Sequence, residues 1–174
     1  GAYAMLTEEY ETAAGYPQEA EKAGIREAGE ALEQRLGQKH FYLSASFSYD
    51  EIRQSLNELA AYLQVPASDY KAEQARCDEA LARARAVIGD TPLAIDYAAV
   101  FRPFSLARLL ADHGFCIDRI YADVVSEDDK EDFLYLQRHF PAIHIYSVVH
   151  AKMRVLPRRT EQKMVAIGQK SAYA

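Results

Sequence analysis

The sequence contains few cysteines and lacks both a long apolar run and a secretion signal. Cys77 and Cys116 are too few for a disulfide framework, and no further residues with recognisable metal-ligand spacing accompany them. We expect both thiols to be buried as small, inert hydrophobic groups. No apolar run of about 18 residues is present, and the N-terminus has neither the basic nor the apolar region of a signal peptide. The sequence therefore predicts a cytoplasmic protein with no membrane partner.

Basic residues and the common catalytic motifs are also scarce. The chain has 20 Lys and Arg against 26 Asp and Glu, a net charge of −6. Nucleic-acid binding requires a concentrated basic face, so we expect no nucleic-acid partner. The sequence holds no GxGxxG, GxxxxGK[ST], GxSxG, HExxH or CxxC motif. We therefore predict neither a catalytic residue nor a metal ligand in this chain.

The residues that are present suit one globular domain with a helix-rich N-terminal portion over 1–90. The chain has 174 residues, 49% of them hydrophobic and 26% charged, which is ordinary for a domain with its own core. Ser48 and Glu51 have the spacing of a capping box. The elements predicted in this portion are a helix over 17–36 that stops at Gly37, a strand over 40–47, a helix from Ser48, and an Ala-rich helix over 69–88.

The second portion, 91–174, alternates short apolar strands with helices. Predicted strands cover 92–98, 115–123, 143–149 and 164–168, and Pro103 and Ser126 open the helices between them. Such alternation predicts an α/β fold: a Rossmann-like three-layer sandwich with a mostly parallel sheet of four to five strands, covered on both faces, plus an N-terminal helical and strand extension. Because the chain begins at Gly1 and ends inside a predicted helix, we expect a piece of a longer protein, truncated at its C-terminus.

Candidate ligand-binding residues follow from the expected position of the strand ends. In open parallel sheets, ligands bind outside the carboxyl ends of the strands. That rule selects the loops at 97–103, 123–126, 149–160 and 168–170. The candidate ligand-binding side chains are Arg102, Ser105, His150, Lys152, Arg154, Gln169 and Lys170.

Several of these polar residues allow two interpretations. Arg102, beside a helix that Pro103 opens, could face an anion at the helix N-terminus or form an ion pair with Asp96 or another acid. The basic loop at 150–160 is either solvated surface or a surface for an anionic ligand or an acidic partner. Asp96 could act as a base or make a structural hydrogen bond. We interpret His113 as a cation at a helix C-terminus.

Three segments of the chain resemble the nitrogenase component 1 family, in its nitrogenase-like and cofactor-scaffold members. They are IDYAAVFRPFSLARLLADHGF (95–115), IHIYSVVHAKMR (143–154) and KMVAIGQKSAYA (163–174). The resemblance covers 40–174, and its last dozen residues are the most specific. It implies Rossmann-like domains with four-stranded parallel sheets. It also implies iron–sulfur clusters, or a larger metal cofactor, held between domains and subunits and supplied with electrons by an ATP-driven iron protein.

For this chain the resemblance implies a supporting role rather than catalysis. The family's cluster-ligating cysteines lie mostly in N-terminal loops that have no counterpart here, so neither Cys77 nor Cys116 is assigned to a cluster. The chain would form one wall of a cofactor or substrate pocket in the parent assembly and would contact its other domains or subunits and an ATP-dependent iron-protein reductase. Two alternatives stay open: a small-molecule or metal-chelate binding module, and a structural docking domain for a redox partner.

Overall fold

The structure is a computed structural model, and it describes residues 30–31, 33–37, 41, 43, 45–149 and 163–173. Residues 30–31 and 33–36 are helical, and the N–H of Gly37 donates to the carbonyl of Glu33 at 2.9 Å. Gly37 has φ +65°, a conformation that glycine adopts without steric cost. The predicted stop at Gly37 is therefore confirmed, whereas the start of that helix lies outside the described residues.

The strand predicted over 40–47 is not found where the chain is described. Residues 41, 43 and 45–47 belong to no strand and no helix. The N–H of Phe47 donates to Ser105 Oγ at 3.2 Å, and the carbonyl of Ala45 accepts from Arg102 Nη1 at 3.2 Å. Side chains at the N-terminal end of the helix Pro103–Asp112 thus take backbone groups that a strand would need for its ladder. The aromatic, alternating pattern of the segment did not reveal this.

Two further helices lie between Ser48 and the sheet. The first, α1, covers Tyr49–Leu63, and the predicted cap is present because Ser48 Oγ accepts the Glu51 N–H at 3.4 Å. The second, α2, covers Lys71–Ile88, close to the predicted 69–88, and ends at Gly89. None of the helices formed by the described residues has the length and apolar character needed to cross a membrane.

The remaining chain forms a four-stranded, all-parallel sheet with the order β3-β2-β1-β4. Because each crossover contains a helix or a long connection, this is the α/β, Rossmann-like arrangement that the alternation predicted. The strands are shorter than predicted. The elements are β1 (Leu93–Asp96), α3 (Pro103–Asp112), β2 (Ile117–Tyr121), a 3₁₀ turn (Glu127–Asp129), α4 (Lys130–His139), β3 (His144–Tyr146), β4 (Val165–Ile167) and α5 (Gln169–Tyr173).

One face of the sheet carries a row of isoleucines. The register aligns Ile167, Ile95, Ile120 and Ile145 on four neighbouring strands. Helices α3 and α4 cover this row with apolar side chains, and together they form the main core. Full burial of each such side chain contributes about 2 kcal/mol relative to exposure. The core lies on this face, and it holds the loops at the strand ends in place.

The opposite face is polar and aromatic rather than apolar. The register aligns Asp96 with Tyr121 and Tyr146, and the two tyrosine rings stack with centroids 5.7 Å apart. Two residues earlier on β2 and β3, Arg119 lies beside His144. The Arg119 guanidinium donates to the Tyr121 hydroxyl at 3.4 Å. The prediction of short apolar strands is therefore correct for only one face of the sheet. Burial on the second face depends on hydrogen-bonded polar groups.

Both cysteines are free thiols on the surface, so the prediction that they are buried is wrong. Cys116 lies between Phe115 and Ile117, which are both buried, so its side chain points away from the core by strand-like alternation. Cys77 lies on α2, a helix without a fully buried residue. Neither position was distinguishable from a core position by composition alone.

Candidate functional site

The carboxyl ends of the four parallel strands meet at one edge of the sheet, where the sequence placed its candidate loops. The strands end there at Asp96, Tyr121, Tyr146 and Ile167. The strand order reverses between β1 and β4, because β1 connects to β2 on one side and β4 lies on the other. Ligands of open α/β sheets bind at this kind of reversal.

In this protein the crevice between β1 and β4 is filled by the backbone at Gly168. Gly168 has φ +114°, and a Cβ at this position would lie 2.5 Å from Asp96 Cβ and 3.1 Å from Ala99 Cβ. Asp96 is completely buried, and its Oδ1 accepts the Ala98 N–H at 2.9 Å. This geometry supports the structural interpretation of Asp96, because the backbone at Gly168 lies directly against its side chain.

A small cleft opens instead between the loops that follow β1 and β2. Its volume is about 130 Å³. Pockets that enclose a small-molecule ligand are typically about 300–1,000 Å³, so this cleft suits a single side chain or functional group. Its lining residues are Tyr97, Phe101, Pro103, Asp123, Val124, Ser126 and Asp129.

Arg102 lies beside the cleft, but its guanidinium faces the protein. The residue is only 5% exposed. Nε donates to Asp129 Oδ1 at 3.1 Å and Nη2 to Asp132 Oδ2 at 3.1 Å, while Nη1 donates to Glu51 and to the Ala45 carbonyl. Of the two interpretations, the structure shows the ion pair, with these acids rather than Asp96. Arg102 therefore attaches the segment at 45–51 to the start of α4. Its guanidinium donates to groups of the protein rather than toward a site for an anionic ligand.

Burial shifts the protonation of this cluster. It raises the pKa of Asp129 to about 6, because the loss of hydration outweighs the hydrogen bond from Arg102, and the nearby Asp132 adds repulsion. The hydrogen bond from Arg102 instead lowers the pKa of Glu51, which is partly exposed to water. The pKa shifts of Asp129 and Glu51, which both pair with Arg102, are thus opposite in direction.

We expect Asp129→Asn to remove part of the pH dependence of stability. In the folded protein the pKa of Asp129 is about 6, above its ordinary value of 3.8, so the native state binds the proton more tightly. Its contribution favours the native state at low pH and is lost as pH rises through about 6. Between pH 5 and pH 7 this difference is about 1 kcal/mol. Urea denaturation at both pH values, compared between wild type and variant, measures it.

Asp69→Asn is the matched control for this measurement, because Asp69 is largely exposed and pairs with the exposed Lys71 at 3.5 Å. We expect its pH profile to follow that of the wild type. A profile for Asp129→Asn that is parallel to the wild type between pH 5 and pH 7 would contradict the raised pKa. Glu51 does not interfere, since its own transition lies below this window.

The other candidate residues do not form one ligand-binding group in the described structure. Ser105 is buried, and its Oγ accepts the Phe47 N–H, so it also holds the 45–51 segment. Gln169 is exposed at the first position of α5. The side chain of Lys170 and all of His150, Lys152 and Arg154 lie outside the described residues.

His113 is the C-cap of α3, the place where the sequence predicted a cation. Its Nδ1 lies 2.7 Å from the Leu109 carbonyl, and its Nε2 lies 3.3 Å from Asp78 Oδ1. Both neighbours are hydrogen-bond acceptors, and a protonated ring can donate to both of them. Asp78 also accepts from the Tyr49 hydroxyl at 2.8 Å, so it connects α1, α2 and α3.

Sequence reasoning missed the acids around Arg102 and the exposed aromatic residue in the cleft. Asp129 and Asp132 have a spacing that places them on one helical face, which was a usable signal. Glu51 is 51 positions from Arg102 and was assigned only to a cap. Phe101, which is 95% exposed, was regarded as part of a loop.

Comparisons with known proteins add no relative: no family model, curated protein or solved structure matches the chain. Within the described part of the chain, no group of three or more His, Cys, Asp or Glu residues is arranged to hold a metal ion. Cys116 precedes β2 at its amino end, opposite the edge that carries the cleft. The described residues at the cleft therefore offer carboxylate, hydroxyl and aromatic groups but no thiolate.

Proposed function

We propose that this chain is a non-catalytic domain of a nitrogenase component 1-like oxidoreductase or metal-cofactor scaffold in the cytoplasm. The observation that carries the proposal is the four-stranded parallel sheet with the order β3-β2-β1-β4. Two of the segments that resemble the family build its strand ends: 95–115 runs from β1 through α3, and 163–173 contains β4 and α5. The resemblance implied a sheet of this kind.

The cleft supports a non-catalytic role. Ser126 Oγ accepts the Asp129 N–H and so serves as a helix cap, while the Asp129 carboxylate accepts from Arg102. A nucleophile needs an adjacent base that can take its proton. Neither residue has that arrangement, since both are engaged in holding the loop after β2. The described lining of the cleft thus supports recognition better than chemistry.

In this proposal the carboxyl edge forms one wall of a cofactor or substrate pocket and contacts other domains or subunits. An iron–sulfur cluster or a related metal cofactor belongs to the parent assembly, whose electrons come from an ATP-dependent iron-protein reductase. The donor set of the described chain does not fit cluster ligation, since clusters are held mainly by thiolates and both cysteines lie away from the cleft. This chain would therefore contribute shape and contacts.

One observation favours the docking alternative over the small-molecule alternative. The cleft is about 130 Å³, and its rim carries Phe101, which is almost fully exposed. A pocket for a chelate would be larger and more enclosed. A docking domain for a redox partner is therefore our second candidate.

The proposal is tested by reconstitution under anaerobic conditions. The chain is mixed with the cluster-bearing subunits of a nitrogenase-like system from the source organism, and the mixture is resolved by size-exclusion chromatography. We expect the chain to co-elute with those subunits and, when iron and sulfide are supplied to it alone, to develop no cluster absorbance near 400 nm. Failure to co-elute, or cluster formation on the isolated chain, would contradict the proposal. The subunits run without the chain give the reference elution.

A further inference from the structure

At the start of α3, three carboxylates contact two guanidinium groups. The carboxylates belong to Glu51, Asp129 and Asp132, and the guanidinium groups belong to Arg102 and Arg108. Two of the carboxylates are almost fully buried, since the side chains of Asp129 and Asp132 are 3% and 2% exposed. A buried carboxylate without a full counter-charge is stabilised by binding a proton. The cluster therefore favours the neutral form of one of its acids.

The contacts single out Asp129 as the acid that binds the proton. Asp132 accepts from both guanidinium groups, at 3.1 Å and 2.9 Å. Glu51 pairs with Arg102, but its side chain is 45% exposed, so water hydrates its charge. Asp129 is buried, pairs with Arg102 through Nε at 3.1 Å, and also accepts the Phe104 N–H. In agreement with this geometry, burial raises the pKa of Asp129 to about 6.

Other charged groups from the neighbouring elements lie close to this cluster. Asp128 precedes Asp129 in the 3₁₀ turn, and Asp123 lines the same cleft from the loop after β2. Arg108 on α3 lies within 4.0 Å of both Glu131 and Asp112, so its charge is shared. Among the described residues, Arg102 is the cation in direct contact with Asp129. The ionisation of Asp129 is therefore coupled most strongly to the partners of Arg102.

The segment 45–51 depends on the same guanidinium for its attachment. Arg102 Nη1 donates to Glu51 and to the Ala45 carbonyl, and the Phe47 N–H donates to Ser105 Oγ. No residue from 45 to 51 is buried, and in α1 only Ala60 is buried. The main core is formed by residues between 93 and 145. Because the segment is held by polar contacts at its surface, its local opening should cost less free energy than unfolding the sheet.

We propose that this cluster is a proton-controlled latch for the segment 45–51, in which Glu51 and Asp129 compete for the guanidinium of Arg102. Protonation of Asp129 leaves Arg102 to Glu51 and tightens the latch, whereas deprotonation restores the competition and loosens it. Opening of the segment frees Arg102 for Asp129, so the open form binds the proton less tightly. The stabilisation of the closed latch is therefore present at low pH and is lost as pH rises through about 6.

The inference does not depend on the nitrogenase-like assignment, because it uses only the cluster and its charges. The test is native-state hydrogen exchange of the isotope-labelled full chain, followed by NMR at pH 5 and pH 7 and corrected for the intrinsic exchange rate at each pH. The Phe47 amide reports the latch, and the Leu93 amide, which donates to the Cys116 carbonyl at 2.7 Å, reports unfolding of the sheet. We expect Phe47 to be protected at least about ten-fold less than Leu93, with exchange that is insensitive to low urea concentrations.

From pH 5 to pH 7 the protection of Phe47 should fall about three- to ten-fold, and the upper figure applies if opening returns the pKa of Asp129 from about 6 to its ordinary value of 3.8. Glu51 stays charged throughout this window, because Arg102 lowers its pKa. The isosteric variant Asp129→Asn should remove the fall, whereas Asp69→Asn, which changes an exposed acid elsewhere, should retain it. A protection of Phe47 that is equal at the two pH values, or a fall that persists in Asp129→Asn, would overturn the proposal.

Glu51→Gln tests the contact that holds the segment. It removes the charge from a partly exposed side chain, and we expect the protection of Phe47 at pH 7 to fall about five-fold. Glu58→Gln is the matched control on the same helix, where Glu58 is exposed and accepts from Gln54 at 2.9 Å, and its effect should stay within about two-fold. Equal effects of the two variants would show that Glu51 is not the latch. If Phe47 and Leu93 exchange at the same rate and with the same urea dependence, the segment opens only when the protein unfolds, and the proposal is wrong.

Discussion

Replacing Arg102 by methionine should destabilise the protein by about 4 kcal/mol at pH 7. The substitution leaves Asp129 buried at 2% exposure without a guanidinium, while Asp132 keeps the one from Arg108. An uncompensated buried charge is among the costliest single changes in a protein, in the range of about 3–5 kcal/mol. The substitution also removes the hydrogen bonds from Arg102 to Glu51 and to the Ala45 carbonyl. Urea denaturation gives the loss in stability, and hydrogen exchange should show faster exchange at 45–51.

A control variant separates the loss of the buried ion pairs from the general effect of replacing an arginine. Arg53→Met is the matched control, since Arg53 is an exposed residue paired with the exposed Asp50, and we expect a change within about 0.5 kcal/mol. The double variant Arg102→Met with Asp129→Asn should recover part of the loss, because the stranded charge of Asp129 is removed. Equal effects of Arg102→Met and Arg53→Met would show that the buried cluster is not the anchor.

Gly168→Ala should destabilise the protein by about 3 kcal/mol. At φ +114° a non-glycine residue is strained by itself, and the added methyl would lie 2.5 Å from Asp96 Cβ. The end of β1 and the turn into α5 must separate to accommodate it. Thermal or urea denaturation measures the loss, and amide NMR shifts should concentrate at 96–99 and 167–171.

Gly89→Ala separates conformational strain from the close contact. Gly89 also has a positive φ, +61°, but a Cβ there would meet no atom within 4 Å. We expect this control to lose about 1–2 kcal/mol, the cost of the backbone conformation alone. If both glycines cost the same, Gly168 does not fill the crevice between β1 and β4, and that crevice is open to a ligand.

Elements with local signals were predictable from the sequence. Ser48 and Ser126 cap helices at the expected positions, and Pro103 begins α3, because capping and proline geometry depend only on a few neighbouring residues. The alternation of short apolar strands with helices sufficed for a parallel sheet, since parallel strands require crossovers. The lengths of the four strands were overestimated.

Features that depend on distant residues were not predictable in this way. The strand expected over 40–47 failed because Arg102 and Ser105 take its backbone groups from nearly 60 positions away along the chain. Arg102 was a candidate for an anion site because the helix N-terminus beside it can be recognised from neighbouring residues. Its partner Glu51 lies 51 positions away along the chain, so no local pattern indicated the ion pair. The two thiols were misplaced because composition does not determine which side of a helix or strand faces water.

The sequence alone determined the class of the fold, the order of the strands and helices in its second half, and most helix ends, because hydrophobic periodicity and capping act over a few residues. The tertiary structure alone decided that the backbone of Gly168 lies against Asp96 at the strand-order reversal, that Arg102 is an anchor, and that the exposed Phe101 lines the cleft. These outcomes depend on which side chains meet across the sheet edge. These contacts are determined by packing and by the exclusion of water, which no local pattern of residues encodes.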